Sequence, residues 1–199
     1  MKIRIIQFIF FTMMLSSCGG NQAAQSDPPL PNKPMASGSE NRSEDEIILQ
    51  LSAHLVANPE NQNERDQNAI VDYAIEQLLP LERTPSGLFY YIQEPGEGEL
   101  LKWADYIKVD YQGYFLDGKV FDDTRKRGKP LQFYIGNMIK GWNEGLQLVA
   151  PGGRILLAVP SALAYGKDGL PDGKGGLLVP ENTPLVFEVE VLEKLEAPK

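Results

Sequence analysis

Residues 107–119 decide the fold: Ile107-Lys108-Val109-Asp110-Tyr111-Gln112-Gly113-Tyr114-Phe115-Leu116-Asp117-Gly118-Lys119. Ile107, Val109 and Tyr111 alternate with Lys108, Asp110 and Gln112. That is the period of a strand with one face in a core and one in water. Leu116-Asp117-Gly118-Lys119 then reads as a hairpin turn, because Asp-Gly accepts the positive φ that a tight turn demands. Outward from this pair the same period returns. Thr84-Pro85-Ser86-Gly87 is a turn ahead of a strand over 88–93. Ile155, Leu157 and Val159 alternate, and Leu185, Phe187, Val189 and Val191 alternate against Glu188 and Glu190. Residues 143–149 form the one helix predicted here, closed by Pro151-Gly152. Short strands with one helix imply an α+β domain, an antiparallel sheet with the helix over one face.

Upstream the pattern changes from period two to helical. Ser43 with Glu46 makes a capping box, and Ile47, Ile48, Leu51 and Leu55 follow on one stripe until Asn58-Pro59. A second amphipathic segment places Val71, Ile75, Leu78 and Leu79 on one face and ends at Pro80. Two short helices cannot make their own core. Their apolar faces pack on the following domain or on a second chain, so a homodimer stays open at this stage. His54 reads as a helix surface residue.

Residues 18–42 carry four prolines and only Leu30 and Met35 as large apolar groups, which predicts a disordered tether. As a coil it would span ~25–30 Å. Before it, Lys2 and Arg4 precede an apolar run from Ile5 to Leu15, which is too short to span a bilayer as a helix. Leu15-Ser16-Ser17-Cys18 resembles a bacterial lipobox, with Cys18 the residue that carries the lipid after cleavage. The expected organisation is a lipoprotein signal peptide at 1–17, a tether at 18–42, a helical extension at 43–83 and the α+β domain at 84–199.

Composition narrows the chemistry. The formal charge is −8 and becomes −10 once residues 1–17, with Lys2 and Arg4, are removed. That balance argues against nucleic acid, which requires basic stripes. One cysteine and one histidine supply neither a disulfide nor a metal site. No nucleophile sits beside a base, and Gly173-Lys174-Gly175-Gly176 reads as a mobile loop rather than a phosphate cradle. Arg125-Lys126-Arg127 with Lys129 reads as a solvated hairpin. Taken singly, Phe121, Phe133 and Phe187 read as core aromatics, and Asp122 as a turn residue.

Six motifs in order change that reading. They are 109–114 (Val-Asp-Tyr-Gln-Gly-Tyr), 117–122 (Asp-Gly-Lys-Val-Phe-Asp), 133–136 (Phe-Tyr-Ile-Gly), 139–146 (Ile-Lys-Gly-Trp-Asn-Glu-Gly-Leu), 163–166 (Leu-Ala-Tyr-Gly) and 185–189 (Leu-Val-Phe-Glu-Val). Together, over about 88–195, they resemble the FKBP-type peptidyl-prolyl isomerase domain. The resemblance implies a curved antiparallel sheet wrapped around a short helix, preceded here by two short helices and the tether. It implies a substrate-binding bowl of Tyr111, Phe121, Phe133, Ile139, Trp142, Tyr165 and Phe187, with Trp142 as floor and Met138 and Val179 in the wall. Ile139 would donate its backbone N–H to the substrate, and Tyr165 its hydroxyl. Asp122 would lie near the rotating carbonyl, oriented by Tyr111 and Arg127. No cofactor and no metal are implied.

The chain departs from the family at four places, one being Val179-Pro180-Glu181-Asn182, which keeps only part of the usual proline pair. A wall position often aromatic there is Leu131 here, the stretch from Gly136 to Trp142 is about two residues shorter, and the loop from Gly166 to Leu178 is longer. The expected function is isomerisation of X-Pro bonds in unfolded or partly folded exported proteins, in the bacterial envelope, lipid-anchored in the outer membrane and facing the periplasm. The competing readings are an FKBP-fold chaperone or peptide-binding module with little catalysis, and a structural lipoprotein whose helices are the working part.

Overall fold

The computed structural model describes residues 42–197. The predicted signal peptide, Cys18, and the tether apart from Arg42 lie outside the described residues. Helix α1 (Glu44–Ser52) starts at Ser43, where the predicted capping box forms: Glu46 N–H donates to Ser43 Oγ, and Ser43 N–H to the Glu46 carboxylate. Helix α2 (Gln62–Glu76) is capped by Asn61, which accepts from Glu64 N–H at 3.1 Å. The strands are β1 (Glu82–Arg83), β2 (Phe89–Glu94), β3 (Tyr106–Phe115), β4 (Val120–Asp123), β5 (Leu131–Tyr134), β6 (Arg154–Val159), β7 (Leu170–Pro171), β8 (Leu177–Val179) and β9 (Leu185–Leu195). Between them lie α3 (Thr124–Arg127) and α4 (Lys140–Gly145), the latter running into a 3-10 turn at Leu146–Leu148. No helix among the described residues is long and apolar enough to cross a membrane.

The main sheet is antiparallel throughout, in the order β1-β2-β6-β9-β3-β4. Strand β5 joins the lower half of β3, pairing Tyr106 to Val109, while β4 takes Gln112 to Tyr114. The backbone between these two partners is completed by a side chain, since Tyr111 N–H donates to Thr124 Oγ1 at 2.9 Å. Register shifts at Ile92/Glu94, Lys108/Val109 and Gly113/Tyr114 bend and twist the sheet.

Period two puts one set of side chains on each face, and both faces are covered. Ile107, Val109, Tyr111, Ile155, Leu157, Val159, Leu185, Phe187 and Val189 face α4. On the other face Phe89, Tyr91, Tyr114, Leu156, Ala158 and Val186 meet Ile47, Leu51, Ile70, Val71 and Ala74 of α1 and α2. The chain's own sheet therefore covers the helical pair. Ile70 is fully buried in this layer. Ile70→Val should lower unfolding free energy by about 0.5–1.5 kcal/mol, the cost of one buried methylene, read by denaturant titration.

Several sequence readings shift. Helix α4 begins three residues before the predicted start at Asn143. Its pattern was masked by Gly141 and Gly145, each about 1 kcal/mol worse than Ala in a helix. Those glycines let the helix touch the sheet: a Cβ on Gly141 would stand 2.6 Å from Val159 Cγ1, and one on Gly145 2.4 Å from Leu157 Cδ2. Because α1 stops at Ser52, Leu55 leaves the stripe and Ile48 stays on the wet side, 43% and 37% exposed. Leu78 and Leu79 lie past the end of α2, Leu78 with a φ of 52°. His54 is not on a helix surface; it follows α1, with its ring edge-on to Phe89 at 5.7 Å. The glycine run 173–176 is the turn of a small β7–β8 hairpin, where Asp172 Oδ1 accepts from Lys174 N–H at 2.7 Å and Gly176 N–H at 2.9 Å.

Candidate active site

The site lies on the α4 side of the sheet. Gly113 on β3 pairs with Phe187 on β9, and a Cβ at Gly113 would come 2.9 Å from Phe187 Cε1 and 2.8 Å from Phe121 Cζ. The bare glycine thus makes room for two rings to lie on the strand. Trp142, brought by the first turn of α4, is 1% exposed and stands at their centre. It meets Tyr111 edge-on at 4.8 Å, Phe187 edge-on at 5.3 Å and Phe133 at 5.7 Å. Phe121 meets Phe187 edge-on at 5.8 Å. These separations and tilts suit the quadrupoles of aromatic pairs. The indole N–H of Trp142 is buried without a partner among the described residues, a feature that costs about 1–3 kcal/mol.

The wall is built from loops. Met138 and Ile139, half-buried, sit between β5 and α4 and pack on the same cluster. Asn143, buried in α4, holds this segment: its Oδ1 accepts from Gly136 N–H at 2.8 Å and Met138 N–H at 3.2 Å, and its Nδ2 donates to Met138 O at 2.7 Å. Ile139 is the N-cap, with extended backbone and no side-chain cap. Val179, fully buried, comes from the β7–β8 hairpin, and Tyr165 from the turn after Ser161–Leu163. Leu131 packs at the edge of the cluster and helps line a surface basin with Arg127, Lys129 and Pro130.

The polar rim is compact. Tyr111 Oη donates to Asp122, whose other oxygen takes Arg127 Nη1 in a close ion pair. The Arg127 guanidinium lies over the Tyr111 ring at 5.6 Å. Asp123, the next residue, faces away and caps α3, accepting from Arg125 N–H at 2.9 Å. The two acids of Phe-Asp-Asp-Thr therefore divide the work, and the turn role falls to Asp123. Arg125 pairs with Glu190 and Lys126 with Asp123, so the basic run is taken up in ion pairs, and it forms the short helix α3 rather than the expected hairpin. Burial raises the Tyr165 hydroxyl above the usual phenol range, and the Asp122 carboxylate adds to the shift.

Burial, and then the hydrogen bond to Asp122, push Tyr111 up to about 12. Below pH 10 both folded and unfolded chains keep that phenol protonated. Between about 10 and 12 only the unfolded chain loses the proton, so this contribution to stability disappears as pH rises through that window. Tyr111→Phe should flatten the stability loss across it, measured by denaturation at stepped pH.

Thus all eleven candidates among the described residues converge: Tyr111, Phe121, Phe133, Met138, Ile139, Trp142, Tyr165, Val179 and Phe187 in one cluster, Asp122 and Arg127 on its rim. Sequence reading missed Gly113 and Asn143. An Asn within a short helix, beside two glycines, was the available signal, since Asn favours bonding to loop backbone over helix interiors.

Comparisons with known proteins agree with this geometry. A family profile described as FKBP-type peptidyl-prolyl cis-trans isomerase matches residues 98–192. The FKBP-type peptidyl-prolyl cis-trans isomerase FkpA of Escherichia coli strain K12 is 45% identical over 114 residues, 57% of this chain and 40% of that protein. The crystal structure of AtFKBP13 is 35% identical, with a TM-score of 0.53, and is matched over 98% of its own chain and 58% of this one. The crystal structure of FkpA from Escherichia coli gives a TM-score of 0.60 at 34% identity, over 78% of this chain and 65% of that one. The chain belongs to the FKBP-type peptidyl-prolyl cis-trans isomerase family. It spans about two fifths of the length of the E. coli relative that it matches.

Proposed function

We propose that the chain is a prolyl cis-trans isomerase acting on X-Pro bonds of unfolded or partly folded exported proteins. The observation that carries this is the ring of Tyr111, Phe133 and Phe187 around Trp142 at 4.8–5.7 Å, with Asp122 held beside it. The cis and trans forms of an X-Pro bond differ by only ~0.5–1 kcal/mol but are separated by ~18–20 kcal/mol of lost amide resonance. No proton shuttle or covalent step is needed. A catalyst must bind the twisted amide better than either planar form. The planar amide has the larger dipole and gains more from water, so a dry aromatic bowl favours the twisted form by withholding water.

Each residue takes a role in that scheme. Trp142 supports the proline ring, with Phe121, Phe133, Met138, Val179 and Phe187 around it. Ile139 N–H and Tyr165 Oη anchor the substrate backbone. Asp122, aligned by Tyr111 and Arg127, lies beside the rotating carbonyl. Uncatalysed isomerisation takes about 10–100 s at 25 °C. A refolding protein limited by such a step should lose its slow phase when this chain is added in catalytic amount. A slow phase unchanged at equimolar chain would overturn the proposal.

The domain from residue 84 onward would carry this activity, with 43–83 as a helical extension. Its apolar face lies on the chain's own sheet, which supports a unit complete in one copy. The envelope location and the lipid on Cys18 rest on the lipobox-like Leu15-Ser16-Ser17-Cys18. Acyl chains would hold an acidic protein that headgroups do not attract, at ~0.8 kcal/mol per buried methylene. The outer membrane, facing the periplasm, is the proposed site. Cys18→Ala should move the protein from the membrane fraction to the soluble fraction; retention in the membrane fraction would remove the anchor.

A further inference from the structure

Asp66 stands out as a buried carboxylate with no part in the bowl. It sits on α2, is 1% exposed, and forms no ion pair among the described residues. An unpaired buried carboxylate is costly unless strongly hydrogen-bonded. One partner lies 95 residues away: Oδ2 accepts from Ser161 N–H at 2.8 Å and from the Ser161 hydroxyl at 2.5 Å. Its Oδ1 accepts from Gln62 Nε2 at 2.7 Å.

Following these bonds onward closes a circuit. Ser161 O accepts from Gly166 N–H at 2.8 Å, and Gly166 O from Asn182 N–H at 2.8 Å. Asn182 O accepts from the same Gln62 amide that donates to Asp66, at 3.3 Å. Asp66, Ser161, Gly166, Asn182 and Gln62 are thus one ring of hydrogen bonds. Its two α2 members grip both ends of the chain segment that bears the β7–β8 hairpin with Val179. Tyr165 lies between Ser161 and Gly166, two members of this ring. A carboxylate matches this place better than an apolar residue of the same size, because it alone satisfies two donors on one backbone turn.

We infer that Asp66 is a positioning residue, through which the helical extension sets the pose of Tyr165 and of the hairpin over the bowl. The inference rests on the proposed reading of the bowl. Helix α2 is then a working part of the site and not only a cover for the sheet.

The test uses the full chain and the variants Asp66→Ala, Asp66→Asn, Ser161→Ala, Tyr165→Phe and the pair Asp66→Ala/Tyr165→Phe. Asp66→Ala should lower kcat/KM for a short proline peptide about 10-fold, chiefly through KM, since the three hydrogen bonds it removes act on the site only through the pose of the Tyr165 segment. Asp66→Asn, which keeps one acceptor, should hold activity to within about 3-fold of wild type. In the Tyr165→Phe background the Asp66→Ala effect should shrink below about 2-fold, because the two changes act on one interaction. Amide hydrogen exchange should quicken at Ser161, Gly166 and Asn182 in Asp66→Ala, while Ile155 and Val189 in the sheet keep their protection. An undiminished loss in the Tyr165→Phe background, or unaltered exchange at those three amides, would overturn the inference. Should Asp66→Ala not fold, Ser161→Ala and Asp66→Asn carry the same two comparisons. If wild type isomerises nothing, the proposed function falls, and the exchange pattern alone decides whether Asp66 holds the Tyr165 segment.

Discussion

Asp122→Ala should lower kcat/KM for prolyl isomerisation about 10- to 100-fold and leave the melting temperature nearly unchanged. The activity loss is that of removing one preorganised charge from a transition state; buried groups of this kind are worth about 100- to 1,000-fold. Asp122 stands lower because a quarter of its side chain is exposed and screened. Stability barely moves, because the Arg127 pair it breaks is half-exposed and such pairs contribute ~0–1 kcal/mol. Tyr111 keeps its place against Trp142 at 4.8 Å whether or not it donates to a carboxylate. Steady-state kinetics beside a thermal scan separate the two effects. Equal activity in the variant would strip Asp122 of its role.

Trp142→Ala is the larger change, affecting fold and site together. Trp142 is 1% exposed and touches Tyr111, Phe133 and Phe187. Its removal opens a cavity between α4 and the sheet, at about 3–5 kcal/mol of unfolding free energy for a buried aromatic. That is a large share of the roughly 5–15 kcal/mol of a typical domain. The proposed bowl would lose its floor, and isomerase activity should fall at least about 100-fold even at temperatures where the variant is folded. Trp142→Phe should recover most of the stability and only part of the activity. Denaturant titration and kinetics on both variants check this. Full activity in a folded Trp142→Ala would place the site elsewhere.

The strands were legible because their alternation is local. Ile107, Val109 and Tyr111 point one way whatever the rest of the chain does, and Asp117-Gly118 makes its turn within five residues, with Gly118 at a φ of 83°. Strand β6 was read only by half: Leu156 and Ala158 are as buried as Ile155 and Leu157, because helices cover both faces of the sheet. Helix α4 was misplaced because contact with the sheet requires glycines at 141 and 145, the residues that weaken a helical pattern. The candidate site was visible mainly through family resemblance. Phe121, Phe133 and Phe187 alone are indistinguishable from core aromatics, and in the structure Phe133 and Phe187 are buried in the core cluster with Phe121 packed, partly buried, against it. Asp66 could not be placed from the sequence at all, since its meaning depends on a serine 95 positions away.

The most direct measurement is magnetisation-exchange NMR on a short Ala-Phe-Pro peptide, with and without the chain at substoichiometric concentration. A bowl that favours the twisted amide should raise the cis-to-trans and trans-to-cis rates by one common factor and leave the isomer ratio of the free peptide untouched, with Trp142→Ala abolishing the gain. Unchanged exchange rates, with peptide resonances that merely broaden or shift on binding, would contradict the account and leave a peptide-binding module in its place.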